Sequence, residues 1–85
     1  MKLAYIRWRD AAHHHEEAAV ADITLAELHE VGFLVREDDE FYVLAMEHMD
    51  GSEDRCRNWL AIPKVNVQEI RVKALDRAFP RRKRQ

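Results

Sequence analysis

Val31–Met46 reads VGFLVREDDEFYVLAM, and its alternation decides the fold. Before the acidic run, Val31, Phe33 and Val35 point one way and Gly32, Leu34 and Arg36 the other. After it, Phe41, Val43 and Ala45 share one side and Tyr42, Leu44 and Met46 the other. A period of two is the pattern of a strand, so the stretch is expected to be a hairpin. Apolar residues occur on both sides of each half. The hairpin is therefore expected to bury both faces, or one face in the core and one against a subunit. Four like charges in a row, Glu37-Asp38-Asp39-Glu40, are tolerable only in water, so the turn is a solvated tip. Carboxylates do bind hard cations, but the spacing lacks a calcium-loop pattern. Gly32 inside the first strand predicts a bulge or a sharp bend.

Working outward, Lys2–Arg9 alternates in the same way, with Ala4, Ile6 and Trp8 on one side and Leu3, Tyr5, Arg7 and Arg9 on the other. It is expected to be a strand with Trp8 in the core. Residues 12–30 combine helix formers with irregular apolar spacing, and Asp22-Ile23-Thr24 favours a break. A surface excursion with a helical turn or two is expected, then a strand entering near Leu25. Met49–Arg57, with Cys56, reads as a loop signalled by Asp50-Gly51-Ser52, and Asn58–Ile62 reads as a fourth strand that Pro63 ends. Lys64–Asn66 is a tight connector. For Val67–Phe79 a helix capped by Asn66 and Glu69 competes with a strand. The reading taken is a strand to about Val72, followed by a helical turn or two to Phe79, with residues 80–85 as a disordered basic tail.

The chain is a single small domain over residues 1–79, of a size that buries a modest core. Its composition, 47% hydrophobic and 35% charged, is globular. The net charge of −2 hides a dipolar layout: residues 1–70 carry seven Lys/Arg against fifteen Asp/Glu, and residues 71–85 seven against Asp76 alone. The body should repel nucleic acid and the tail attract it. A single cysteine, Cys56, cannot form an internal disulfide, no apolar run approaches a bilayer span, and the N-terminus has no signal-peptide core; a cytoplasmic protein without a membrane is expected.

The strand cores also carry a resemblance. Trp8 and Asp10 closing the first strand, VGFLV (31–35) with its acidic turn, YVLA (42–45), IPK (62–64) and EIR (69–71) resemble small proteins encoded by tailed bacteriophages and prophages. The resemblance covers roughly Lys2–Arg9 and Leu28–Leu75. It implies a phage context, with the host-cell cytoplasm as compartment, and a five-stranded SH3-like or Sm-like barrel; it brings no assigned activity. The residues agree on the fold class: mainly β with a short helical segment, five short strands and a bent second strand. Fold alone licenses no activity.

The chemistry the residues allow is narrow. His13, His14 and His15 are adjacent, which spreads their rings and suits one ion poorly; a pair such as His13 with Glu17 has better spacing. No metal site and no cofactor are expected. His29 and His48 are expected to meet across paired strands. Ser52 and Thr24 stand in no nucleophile motif, and with only Gly32 and Gly51 there is no phosphate loop, so an enzyme is not expected. The leading expectation is a non-enzymatic phage accessory protein that binds a host or phage protein, acting as a homo-oligomer. A second is an Sm-like nucleic-acid binder using Arg81, Arg82, Lys83 and Arg84. A third is a sponge for a host-defence nucleotide signal. Trp8, Arg36, Tyr42, Trp59 and Lys64 are the candidate ligand- or partner-binding residues.

Overall fold

The computed structural model describes residues 1–12, 14–51 and 53–81. Five strands form one antiparallel sheet: β1 (Lys2–Asp10), β2 (Ala26–Glu37), β3 (Phe41–Met49), β4 (Arg55–Pro63) and β5 (Val67–Ala74). They lie in the order β4-β3-β2-β1-β5. A 3-10 turn at Val20–Asp22 precedes β2, and another at Lys64–Asn66 links β4 to β5. A single helical turn, α1 (Leu75–Ala78), follows β5 directly. The strand-then-helix reading of residues 67–79 holds, and no Asn66 cap is used: the residue before α1 is Ala74.

The expected face of β1 is the core. Ala4, Ile6 and Trp8 are buried together with Leu44 and Ile62, and Leu28, Leu34, Tyr42, Val67 and Ile70 pack around them. The register explains the grouping, because Ile6 stands opposite Ile70 and Trp8 opposite both Leu28 and Val67. Ala45, on the opposite face from Leu44, is buried as well, so β3 carries apolar contacts on both faces.

Gly32 marks the place where β2 swings onto β3. A Cβ at that position would sit 2.9 Å from the Ala45 carbonyl oxygen and 3.4 Å from the Leu44 Cβ. Only a residue without a side chain admits that approach. Three residues on, a β-bulge falls between Leu34 and Arg36, leaving Val35 as the additional residue. Leu34 pairs with Leu44, then Arg36 pairs with Val43 and Glu37 with Tyr42. The bulge corrects the strict alternation: Arg36 leaves the Leu34 face and joins Val43 on the other side of the sheet, and Glu37 turns to the Tyr42 side.

The sheet is open. β4 and β5 are its edges and are not paired with each other. The molecule measures 62 × 30 × 24 Å with a radius of gyration of 16.9 Å, against roughly 12 Å for a compact chain of this length. Its accessible surface is 7600 Å², about 2000 Å² more than a compact monomer of its mass exposes. Part of that excess belongs to the excursion at 11–25, where Val20, Ile23 and Leu25 are exposed.

Candidate functional site: an apolar cleft on the second face

The second face divides into two regions. Across β2, β1 and β5 it is a polar ladder. Arg7 donates to Glu27 at 2.8 Å and lies 3.5 Å from Glu69, which also accepts from Arg71 at 2.7 Å. Arg71 lies over the Tyr5 ring, and Tyr5 stacks on His29 with its hydroxyl 2.8 Å from Nδ1. These contacts shift the charged groups in the direction opposite charges dictate. Arg7 holds Glu27 below the usual carboxylate range, and Arg71, with help from Arg7, does the same for Glu69. This half is laced by its own charged and polar side chains, with Val31 exposed opposite Tyr5.

Across β2, β3 and β4 the face is apolar and concave. A cleft of about 480 Å³ is lined by Val35, Arg36, Phe41, Val43, Trp59 and Ala61, and by Asp54, Arg55 and Cys56 at the start of β4. The β3–β4 register sets Val43 opposite Ala61 and Phe41 opposite Pro63, which puts the apolar lining side by side. Asn58, in the left-handed region at φ 53°, lies between the two halves of β4, and both halves reach the cleft. Asparagine is among the residues that tolerate that backbone. Trp59 is 63% exposed, an unusual condition for an indole lying beside other apolar side chains.

The bulge supplies the charge at the cleft. The Arg36 guanidinium lies 5.0 Å from the centre of the Phe41 ring, a cation–π arrangement. It also pairs with Asp38 at 3.2 Å. Asp38 is the organiser of the β2–β3 turn. Its carboxylate accepts the backbone N–H groups of Glu40 at 2.8 Å and Phe41 at 3.0 Å. Those bonds, with Glu40 first, and the neighbouring Arg36 hold it below the ordinary aspartate range. The acidic tip is thus a built Asx turn that fixes Arg36 and Phe41 at the cleft mouth.

The candidate residues separate into three places. Arg36 and Trp59 meet in the cleft. Tyr42 and Lys64 form a second pair: the Lys64 ammonium lies 4.8 Å from the Tyr42 ring centre and 2.9 Å from Glu37. Glu37 raises the Lys64 pKa above its ordinary value. Trp8 lines neither place. It is 5% exposed in the core, and its indole Nε1 is buried with no acceptor among the described residues. Phe41, Val43 and Cys56 were not singled out by the sequence, although Phe41 and Val43 are readable as one apolar face.

Other expectations are settled by the register. His29 and His48 do not meet: His29 stands opposite Arg7 and stacks on Tyr5, whereas His48 stands opposite Cys56 with Nε2 2.6 Å from Asp54. Cys56 lies in β4 rather than in a loop. His14 lies 3.8 Å from Glu16, and no group of three metal-ligating side chains occurs among the described residues. His13 and Ser52 lie outside the described residues, as do Arg82, Lys83 and Arg84; Arg81 is exposed. No helix among the described residues is long and apolar enough to cross a membrane. The chain matches no protein-family model, no curated protein and no solved structure.

Proposed function

We propose that the protein is a non-enzymatic binding protein that acts through protein–protein contact and works as a homo-oligomer. The observation that carries this reading is the two-sided apolar character of the β3–β4 region. One face supplies Leu44 and Ile62 to the core, and the other presents Phe41, Val43, Ala61 and a 63% exposed Trp59 around an open cleft. Among the described residues no second layer covers that face. The surplus of accessible surface supports the same reading, since a standard interface removes about 800 Å² from each partner. The resemblance of the strand cores to phage proteins favours a phage or host protein as the further partner. Light scattering across the micromolar range tests the oligomer: a mass above the 10.1 kDa of the chain is expected, and 10.1 kDa at every concentration refutes it.

The finer reading of the sheet as an SH3-like or Sm-like barrel, open in this form, draws on the strand order and on the 3-10 turn that joins β4 to β5. A second functional reading has one observation in its favour. Arg36, Arg55, Phe41 and Trp59 lie around one cleft, which suits a flat anionic ligand of the nucleotide class, with its ring on an aromatic side chain and its phosphate on a guanidinium. A thermal-shift screen against mononucleotides and cyclic nucleotides tests it, because a ligand that binds only the folded state raises Tm. No shift with any of them removes this reading. The nucleic-acid reading rests on the charge of Arg81–Arg84 alone.

A further inference from the structure

The oligomer reading leaves open which surface a second copy meets, and the two sheet edges differ in a way that selects one. β5 ends the sheet with Gln68, Glu69, Arg71 and Lys73, an edge interspersed with charge. Charged residues along an edge discourage pairing with another chain. β4 carries none from Asn58 to Pro63, the segment NWLAIP, and within it Trp59 is 63% and Leu60 36% exposed. Arg55 and Arg57 precede that segment and Pro63 ends it, so the unguarded stretch of this edge is Asn58–Ile62.

The hydrogen-bond phase of β4 shows which of its backbone groups are free. The Lys64 N–H donates to the Glu40 carbonyl at 2.8 Å, which continues the β3–β4 register beyond Phe41–Pro63. In an antiparallel ladder, bonded and non-bonded pairs alternate. Ile62 opposite Tyr42 and Leu60 opposite Leu44 are then bonded pairs, whose N–H and C=O groups turn to β3. Trp59, Ala61 and Pro63 turn theirs to the free edge. Pro63, which has no N–H, stands where none is needed for the β3 ladder. The unspent N–H groups of the Asn58–Pro63 segment are those of Trp59 and Ala61.

We infer that β4 pairs antiparallel with β4 of a second copy across a two-fold axis at Leu60. In that register Trp59 of each copy stands opposite Ala61 of the other. Both exchange N–H···O bonds in both directions, so the four outward N–H groups of the two Asn58–Pro63 segments are all satisfied. The side chains fit the same register. On the cleft face a large indole lies beside a small methyl group, twice over by symmetry. On the opposite face Leu60 meets Leu60. Arg57 stands opposite Pro63, so no like charges face one another. The contact is isologous and closes at two copies. It also joins the clefts, because Trp59 and Ala61 line both the cleft and the edge. Each cleft then gains a wall from the second copy.

This inference rests on the self-association reading, and the experiment separates the two. The variant Ala61→Pro removes an outward N–H and leaves the β3 ladder in place, as Pro63 already does two residues on. Circular dichroism reports that it is folded, and light scattering is expected to give 10.1 kDa for it beside twice that for the parent chain. A second arm does not depend on proline. In a Cys56→Ser background, Leu60→Cys stands on the axis in a non-bonded pair, where Cα atoms approach to about 4.5 Å, within disulfide range. Oxidation is expected to convert most of it to a covalent dimer, while Val72→Cys on β5 in the same background stays uncrosslinked. A folded Ala61→Pro chain that keeps the parent mass, or a Leu60→Cys chain that crosslinks no better than Val72→Cys, overturns the β4 edge while the oligomer stands. A parent chain at 10.1 kDa throughout overturns both.

Discussion

Replacing Gly32 by alanine tests the geometry that brings β2 onto β3. The added Cβ would lie 2.9 Å from the Ala45 carbonyl oxygen, closer than a methyl group and an oxygen can approach. The obstructing atom is backbone in the middle of a sheet, so relief requires the β2–β3 crossing to open. Forcing additional volume into a packed site costs about 1–3 kcal/mol. Against that stands the loss of unfolded-state freedom on replacing glycine, which stabilises by about 0.4–1 kcal/mol. The net expectation is a destabilisation of about 1–2 kcal/mol. For a domain of this length 1 kcal/mol moves Tm by roughly 4–8 °C, so Gly32→Ala is expected to melt about 5–15 °C below the parent chain by circular dichroism. The Leu44 side of the site is also tight, with its Cβ at 3.4 Å, so Gly32→Val should lose more. A Gly32→Ala protein that melts at or above the parent temperature would refute the reasoning, because it would mean that β2 does not approach Ala45 as closely as this.

Three further outcomes follow from the same structure. Trp8→Phe removes a buried donor that has no acceptor among the described residues, so it should cost well under the roughly 3–5 kcal/mol of a large-to-alanine truncation, whereas Trp8→Ala should reach that range in urea titration; equal losses for both would contradict the unpaired indole. Asp38, Glu27 and Glu69 all have folded pKa values below their ordinary ones, Asp38 through the Glu40 and Phe41 N–H groups and the other two through arginine. Their contribution is present above an unfolded carboxyl pKa of roughly 4 and is lost as pH falls through the lower folded values; Tm should therefore be level above about pH 5 and drop below 4, and a level profile down to pH 2 would exclude it. Asp38→Ala strips two backbone donors of their acceptor and should lower Tm, whereas alanine at Asp39, which is exposed at the same tip, should lower it by less than half as much.

How much of this was legible in the sequence follows from which signals are local. The period of two identified β1 with its core face and both arms of the hairpin, because burial on one side of a strand repeats strictly; with apolar residues on both sides, the hairpin's core face stayed open. Gly32 was legible as a special position, read as a bulge or bend; what it serves is the close approach of the Ala45 carbonyl. The bulge at Val35 was not, since VRED contains no residue that announces one, and the cost was specific: alternation assigned Arg36 to the Leu34 face. The first residues of β4 were missed for a similar reason. Arg55-Cys56-Arg57 is polar and reads as loop, yet it pairs with Glu47, His48 and Met49 on β3, and a partner strand is not visible in the segment itself. The candidate site was half legible. Arg36 and Trp59 do meet, but Tyr42 and Lys64 lie with Glu37 on the other side of the bulge.

These two misses explain why the cleft exists. A regular β2 would leave Arg36 on the core side, where a guanidinium beside Leu34 and Leu44 would have no carboxylate partner and would lose hydration. The additional residue at Val35 moves it to the second face, where Phe41 receives its flat side and Asp38 its charge. The left-handed Asn58 lies between the two parts of β4 that line the same cleft. Bulge and left-handed residue lie on the two strands that flank β3; the bulge shifts the β2–β3 register, and the β3–β4 register passes Asn58 without a shift. Such a shift weakens pairing locally. Their common result is a concave apolar surface on the one part of the second face that the Arg7–Glu27–Glu69–Arg71 ladder does not close. That coincidence ties the departures from regular structure to the cleft as well as to the core of Ala4, Ile6, Trp8, Leu44 and Ile62, which the bulge keeps free of the Arg36 guanidinium.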